Sequence, residues 1–212
     1  MRKLPQVNQW LKSVQQAVYP LRCLLCDAPG EGGRDLCPAC LAELPYNPIA
    51  CQLCALPLAA HEEGICGGCL KRRPPLDAAV IPFRYAPPLD HLLLGLKFNH
   101  QLVNARLLGG LMADAIEARP DERPDCILPV PLHNGRLRER GYNQALELAR
   151  PVSGRLGIPL ENRLAVRLKA TAAQSTGLNE ATVPTQPGSR AGAISTDDRN
   201  ASGRLRNWKM AI

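Results

Sequence analysis

"CLLCDAPGEGGRDLCPACLAELPYNPIACQLCALPLAAHEEGICGGC", Cys23 to Cys69, places eight cysteines in four CxxC pairs. The pairs are Cys23/Cys26, Cys37/Cys40, Cys51/Cys54 and Cys66/Cys69, separated by ten, ten and eleven residues. One CxxC offers two thiolates along one edge of a metal tetrahedron. Two such pairs close a four-coordinate site with no open position, which is structural rather than catalytic. Four pairs therefore imply two Zn²⁺ ions. The segment is punctuated by Gly and Pro and has no long apolar period, so it cannot build a core and needs metal staples to fold. Which pairs share an ion is open at this level. Sequential pairing is the simplest arrangement, and an interleaved one uses the same ligands. A redox role needs fewer pairs than four. His61 lies between the third and fourth pairs and reads as a loop residue. Cys126 stands alone in an apolar run and reads as a small core residue.

The chain has 212 residues, room for one medium domain and a small one. Apolar residues make up 45% and aromatics only 4%, so the core must rest on Leu, Ala and Val. Twenty-six Lys and Arg stand against 19 Asp and Glu, a net charge of +7. That balance favours phosphate-bearing partners without bearing on the fold. The N-terminal "MRKLPQVNQWLKSVQQAVYP" lacks the apolar centre of a signal peptide. No run approaches the roughly 20 apolar residues of a membrane span. These features predict a cytoplasmic protein, where thiols stay reduced and clustered cysteines bind metal.

Working outward, Val7, Trp10, Leu11, Val14 and Val18 recur at helical spacing and predict an amphipathic helix within residues 1–19. The Cys-rich module occupies 20–73, and "KRRPPLD" (Lys71 to Asp77) reads as a linker. "AAVIPFRYA" (Ala78 to Ala86) predicts a strand. "PPLDHLLLGLKFNH" (Pro87 to His100) predicts a helix opened by prolines. A second helix is expected over Val103 to Ala118. Residues 126–131 predict a strand, and Asn143 to Leu156 a helix that Pro151 should kink or break. "RLAVRLK" (Arg163 to Lys169) alternates like a strand. Strands alternating with helices argue for an α/β domain. After Thr182 the hydrophobic pattern is lost, and residues 183–212 read as a disordered tail.

"PVPLHNGRLRERGYNQ" (Pro129 to Gln144) ends the apolar run with three arginines. A loop at the carboxyl end of such a strand is where α/β folds place ligands. Arg136, Arg138 and Arg140 suit an anion, because guanidinium forks grip phosphate oxygens. Gly141 lets the backbone turn. Asn143 or Gln144 then opens a helix whose free N–H groups also favour an anion. Between Asn134 and Lys169 eight Arg and Lys face three Glu. The plainer reading is a solvated basic turn with weak surface pairs.

"LPVPLHNGRLRERGYNQALELA", preceded by "FRYAPPLDHLLLGLKF" and the CxxC pairs and followed by "LKATAAQSTGLNEA", resembles the ComF family over about residues 20–182. The resemblance implies a small N-terminal double zinc ribbon followed by a type I phosphoribosyltransferase-like domain, and an association with competence and the use of external DNA. It implies that Arg136, Arg138, Arg140, Asn143 and Gln144 face a phosphorylated ligand such as phosphoribosyl pyrophosphate, and that Lys97 of "GLKF" lies near the site. The family chemistry would displace pyrophosphate at the ribose C1 with Mg²⁺ present. The match stops at Thr182. The family continues with an apolar strand, two acidic residues and a Thr-Thr-Gly loop that holds the donor. Here Asp197-Asp198 follow only Ile194, and Thr-Thr-Gly is missing. The expected fold is therefore α/β with an incomplete transferase-like domain over 78–182. The expected state is inactive, and the pattern suits a frameshift or truncation; Mg²⁺ is expected only for an intact relative. The other functional expectations are a single-stranded DNA-binding module and a zinc-stabilised adaptor for competence or DNA-processing proteins. A steep salt dependence would mark the DNA-binding module.

Overall fold

The computed structural model describes residues 20–59, 64–119, 124–168 and 208–210. The predicted helix within residues 1–19, His61 and most of the segment after Leu168 lie outside them. In chain order the elements are α1 (Pro38–Ala42), α2 (Gly67–Lys71), β1 (Ala78–Val80), α3 (Leu89–Phe98), α4 (Leu102–Glu117), α5 (Asn134–Arg140), α6 (Gln144–Leu156) and β2 (Trp208–Met210).

The helices follow the apolar spacing. In α3, Leu89, Leu92, Leu93 and Leu96 are buried. In α4, Leu107, Leu108, Leu111, Met112 and Ile116 do the same, and in α6 Leu148, Val152 and Leu156. Stripes at three- and four-residue spacing face one another and form a shared core. Buried Asn104 ties α3 to α4, its amide donating to the Leu92 carbonyl at 2.8 Å and to Gln101 Oε1 at 3.1 Å. Helix α6 runs through Pro151 to Leu156, so of the expected kink or break the break does not occur. The proline ring lies at the closest approach of α6 to α4. A Cβ added to Gly109 would stand 2.3 Å from Pro151 Cγ. Packing there compensates for the hydrogen bond that proline cannot donate.

The strands are shorter than their patterns suggest. The one expected over 78–86 is ordered as a strand only at Ala78–Val80, before Pro82, which cannot donate to a ladder. Phe83 makes one isolated antiparallel bridge to Tyr46. The strand expected over 126–131 reduces to a parallel bridge between Ile127 and Leu160, since Pro129 and Pro131 remove alternate donors. No strand forms over 163–168: Ala165 is buried while Leu164, Val166 and Leu168 are exposed, the reverse of the expected face. Among the described residues the sheet consists of β1 and β2, paired in parallel with Ala78 opposite Trp208 and Val80 opposite Met210. The body is thus mixed helix and strand, with helices dominant. Strand β2 also corrects the expected disorder at residues 208–210: the unpaired edge of β1 takes a short extended segment from the tail. No described helix is long and apolar enough to cross a membrane.

The Cys-rich module is not a detached appendage. Cys23, Leu36, Cys37 and Leu44 belong to the same buried cluster as Leu92, Leu108 and Val152. Cys51, Leu53, Cys66 and Cys69 form a separate small cluster. Asp35, buried, pairs with Arg106 of α4, and Arg34 reaches Asp114 of α4 at 2.6 Å. Arg155 of α6 joins Asp114 and, at 2.6 Å, Glu117.

Candidate metal centres and ligand site

The four CxxC pairs converge sequentially. The sulfurs of Cys23, Cys26, Cys37 and Cys40 lie within 4.8 Å of one another, as do those of Cys51, Cys54, Cys66 and Cys69. Cys26 and Cys37 are 3.6 Å apart, and Cys54 and Cys66 are 3.7 Å apart. A tetrahedral ion with Zn–S of about 2.3 Å requires S···S edges of about 3.8 Å, so both donor sets fit zinc. Each centre is built alike. The first pair is a tight turn in which the Asp27 N–H donates to the Cys23 carbonyl at 2.9 Å, and that of Ala55 to Cys51 at 2.7 Å. Asp27 and Ala55 accordingly adopt left-handed backbone, φ 61° and 57°. The second pair opens a short helix, with Cys37 before α1 and Cys66 before α2.

The thiols are electrostatically tuned for a cation. Burial pushes Cys23 and Cys51 up, but backbone N–H groups aimed at each sulfur outweigh it and hold both down to about 6. For Cys51 one donor is the Cys66 N–H at 3.3 Å. Cys40 is pushed up by the neighbouring Cys26 and Cys37 sulfurs, and Cys69 by burial and then by Cys54 and Cys66. Four thiolates at such distances repel unless a cation lies among them. Zinc supplies that charge and closes each centre.

A cavity of about 520 Å³ opens in the body, between α3, α4, the 124–132 segment and α6. Apolar side chains such as Leu93, Met112, Ile127 and Leu148 line it, with Lys97, Asn143, Gln144 and Arg167 as its polar members. Three of the six residues predicted to bind phosphate thus meet here. Lys97 is exposed in the last turn of α3. Asn143 caps α6: its Oδ1 accepts from the Ala145 N–H at 3.0 Å and its Nδ2 donates to the Val130 carbonyl at 3.0 Å. Both its polar atoms are already engaged within the protein. Gln144 differs, because its Nε2 is buried without a hydrogen-bond partner among the described residues.

Arg136, Arg138 and Arg140 do not line the cavity. They sit on α5, a helix rather than the expected loop. His133 caps it, its Nδ1 accepting from the Gly135 N–H at 3.2 Å, and Gly141 ends it at φ 77°. Arg138 is exposed, while Arg136 and Arg140 are half-buried. Among the described residues none of the three pairs with a carboxylate. Arg140 instead covers the Phe98 ring, its Cζ 5.8 Å from the centroid. The Tyr142 hydroxyl donates to the Leu96 carbonyl, and its ring meets His100 edge-on at 5.8 Å. Sequence reasoning passed over Phe98 and His100; their only signal was adjacency to Lys97.

Two tandem Cys₄ centres joined to a helix-rich body with a ligand-sized cavity define a double-zinc-ribbon protein. Residues 14–70 match the family model described as "Double zinc ribbon domain". DNA utilization protein YhgH of Shigella flexneri is 34% identical over 160 residues, covering 73% of this chain and 70% of that protein. The YhgH protein of Escherichia coli K12 matches equally. Competence protein F of Haemophilus influenzae is 34% identical over 161 residues, covering 74% and 69%. No solved structure matches. The chain belongs to the ComF family of competence and DNA-utilization proteins.

Proposed function

We propose that this chain serves in the uptake or utilization of DNA in the cytoplasm, the role carried by its relatives' names. Its double ribbon over 20–73 is the structural part. Its body over 78–182 is a partial type I phosphoribosyltransferase-like domain that holds a phosphorylated ligand without turning it over. The observation that carries the ligand reading is Gln144. Its buried Nε2 has no partner among the described residues and lies on the cavity wall at the first turn of a 13-residue helix. A buried donor without an acceptor, beside helix N–H groups, favours an anionic oxygen. Lys97 adds a full charge at the same cavity. Arg136, Arg138 and Arg140 would act from α5 on the solvent side of that ligand. The inactive part of the reading rests on residues 183–212, in which no Thr-Thr-Gly occurs.

Titration calorimetry with pyrophosphate and with phosphoribosyl pyrophosphate tests this reading. Binding should weaken about tenfold in Lys97→Ala and in Gln144→Leu, the loss of one charge-assisted hydrogen bond each. No binding to the wild type overturns it. Turnover of the donor with any of a panel of bases overturns the inactivity.

A second reading, binding of single-stranded DNA, is favoured by the three α5 arginines that lack carboxylate partners among the described residues. It requires affinity for an oligonucleotide that falls steeply with salt.

A further inference from the structure

The end of α3 and the end of α5 meet at a surface cluster beside the cavity mouth, where Lys97 belongs to both. Phe98, at the last position of α3, is 52% exposed. Arg140, at the last position of α5, lies over its ring. His100 is exposed just beyond α3, and its imidazole stands edge-on to Tyr142. The Tyr142 hydroxyl, bonded to the Leu96 carbonyl, fixes the two segments against each other. Two of the chain's eight Phe, Trp and Tyr residues, Phe98 and Tyr142, gather here with the His100 imidazole. Lys97 and Arg138 flank them, exposed.

Half of the Phe98 ring area stays in water while the Arg140 guanidinium lies over the ring. Exposed rings (Phe98, His100) and a half-buried guanidinium, beside cations that pair with no carboxylate among the described residues, match one ligand chemistry well. Unstacked bases lie on aromatic faces or on Arg planes, while the cations track the phosphates between them. Duplex bases are already stacked and cannot use such a surface. We infer that Phe98, Arg140 and His100 form a base-stacking platform for single-stranded DNA, with Lys97, Arg136 and Arg138 holding its phosphates. The inference rests on the DNA-binding reading above and assigns it to particular side chains.

The test uses the full zinc-loaded chain and fluorescence anisotropy with three labelled probes of equal length: oligo-dT, an abasic strand and a duplex. The expected result is that oligo-dT binds about tenfold more tightly than the abasic strand, well within the stacking contribution of one or two bases. Phe98→Leu should lower oligo-dT binding about threefold toward the abasic level and leave abasic binding unchanged. Arg136→Ala with Arg138→Ala should weaken both single strands and flatten the salt slope. Phe98 lies on the surface, so zinc content and melting temperature should match the wild type. The abasic comparison needs no variant at all. Equal binding of oligo-dT and abasic strand overturns the platform while leaving backbone binding intact. So does binding of duplex as tight as oligo-dT, or a Phe98→Leu variant that distinguishes the two strands as well as the wild type. Absence of binding to every probe overturns the DNA reading itself.

Discussion

Arg34, in the loop before the second CxxC pair, and Asp114, near the end of α4, stand 2.6 Å apart across 80 residues of sequence. Arg155 of α6 approaches the same carboxylate. The neighbouring Asp35 is buried and meets Arg106 of α4. Two consecutive residues of the loop between the first two CxxC pairs therefore clasp the helical body, and the body's own helices share the clasp.

Asp114→Asn removes the charge and leaves two guanidiniums facing each other's former partner. A loss of about 1 kcal/mol in urea unfolding of the zinc-loaded protein is expected, because these partly exposed pairs are screened by water. Asp35→Asn should cost more, about 2 kcal/mol, since that carboxylate is the buried member of its pair. Equal, negligible changes in both variants would remove the clasp from the account.

The two zinc centres should not be equivalent. Cys23 and Cys37 lie inside the core shared with α3, α4 and α6, whereas the second centre buries only its own cluster. Cys23→Ser and Cys51→Ser are matched changes at buried ligands. Elemental analysis of either should lose one of the two zincs implied by the Cys₄ rule. Thermal unfolding followed by far-ultraviolet circular dichroism should separate them. Cys23→Ser should broaden and lower the transition of the helices, and Cys51→Ser should leave it nearly intact. An equal fall in both would show a single cooperative unit.

The metal ligands were legible because the four CxxC pairs are local in sequence, and local spacing dictates a shared ion. Their pairing was not, since sequential and interleaved schemes use the same donors; only the chain path decides. Helices α3, α4 and α6 were legible from periodic leucines. The strands were misread because alternation survives in sequence where Pro82, Pro129 and Pro131 deny the ladder its donors. The arginine segment looked like a loop, although His133 and Gly141 carry the cap and stop of a helix. Lys97 and Gln144, expected near a ligand, do line the cavity. Asn143 does too, but its side chain caps α6. The clasp and the Phe98–Arg140 stack join residues tens of positions apart, and no periodicity announces such pairs.

Gly109 and Gly110 are neighbours on α4 with opposite surroundings. A Cβ at Gly109 would meet Leu148 O at 2.6 Å as well as the Pro151 ring, whereas one at Gly110 would meet nothing within 4 Å. Gly109→Ala should therefore force α4 and α6 apart and cost about 1–3 kcal/mol, as overpacked cores do. Gly110→Ala should gain up to about 1 kcal/mol from helix propensity alone. Chemical denaturation of the pair measures both, and the same sign in both variants would contradict the close approach.

Tyr142 gives a pH signature. Burial raises its phenol above the usual 10.0, with Arg140 opposing and Glu147 adding to the rise. His100, at the ring edge, is the other titratable group beside it. A raised value means that the folded chain holds the proton more tightly than the unfolded one. The contribution is therefore complete below about pH 10 and is lost as pH climbs through the folded value. Tyr142→Phe deletes the proton and the bond to the Leu96 carbonyl together. At about pH 8 it should cost about 1 kcal/mol. By about pH 11 the gap between wild type and variant should narrow, because the wild type alone then loses its proton on unfolding. Urea midpoints at the two pH values measure the gap. A gap independent of pH would mean that the phenol contributes by shape alone, and that the α3–α5 junction is held without its hydrogen bond.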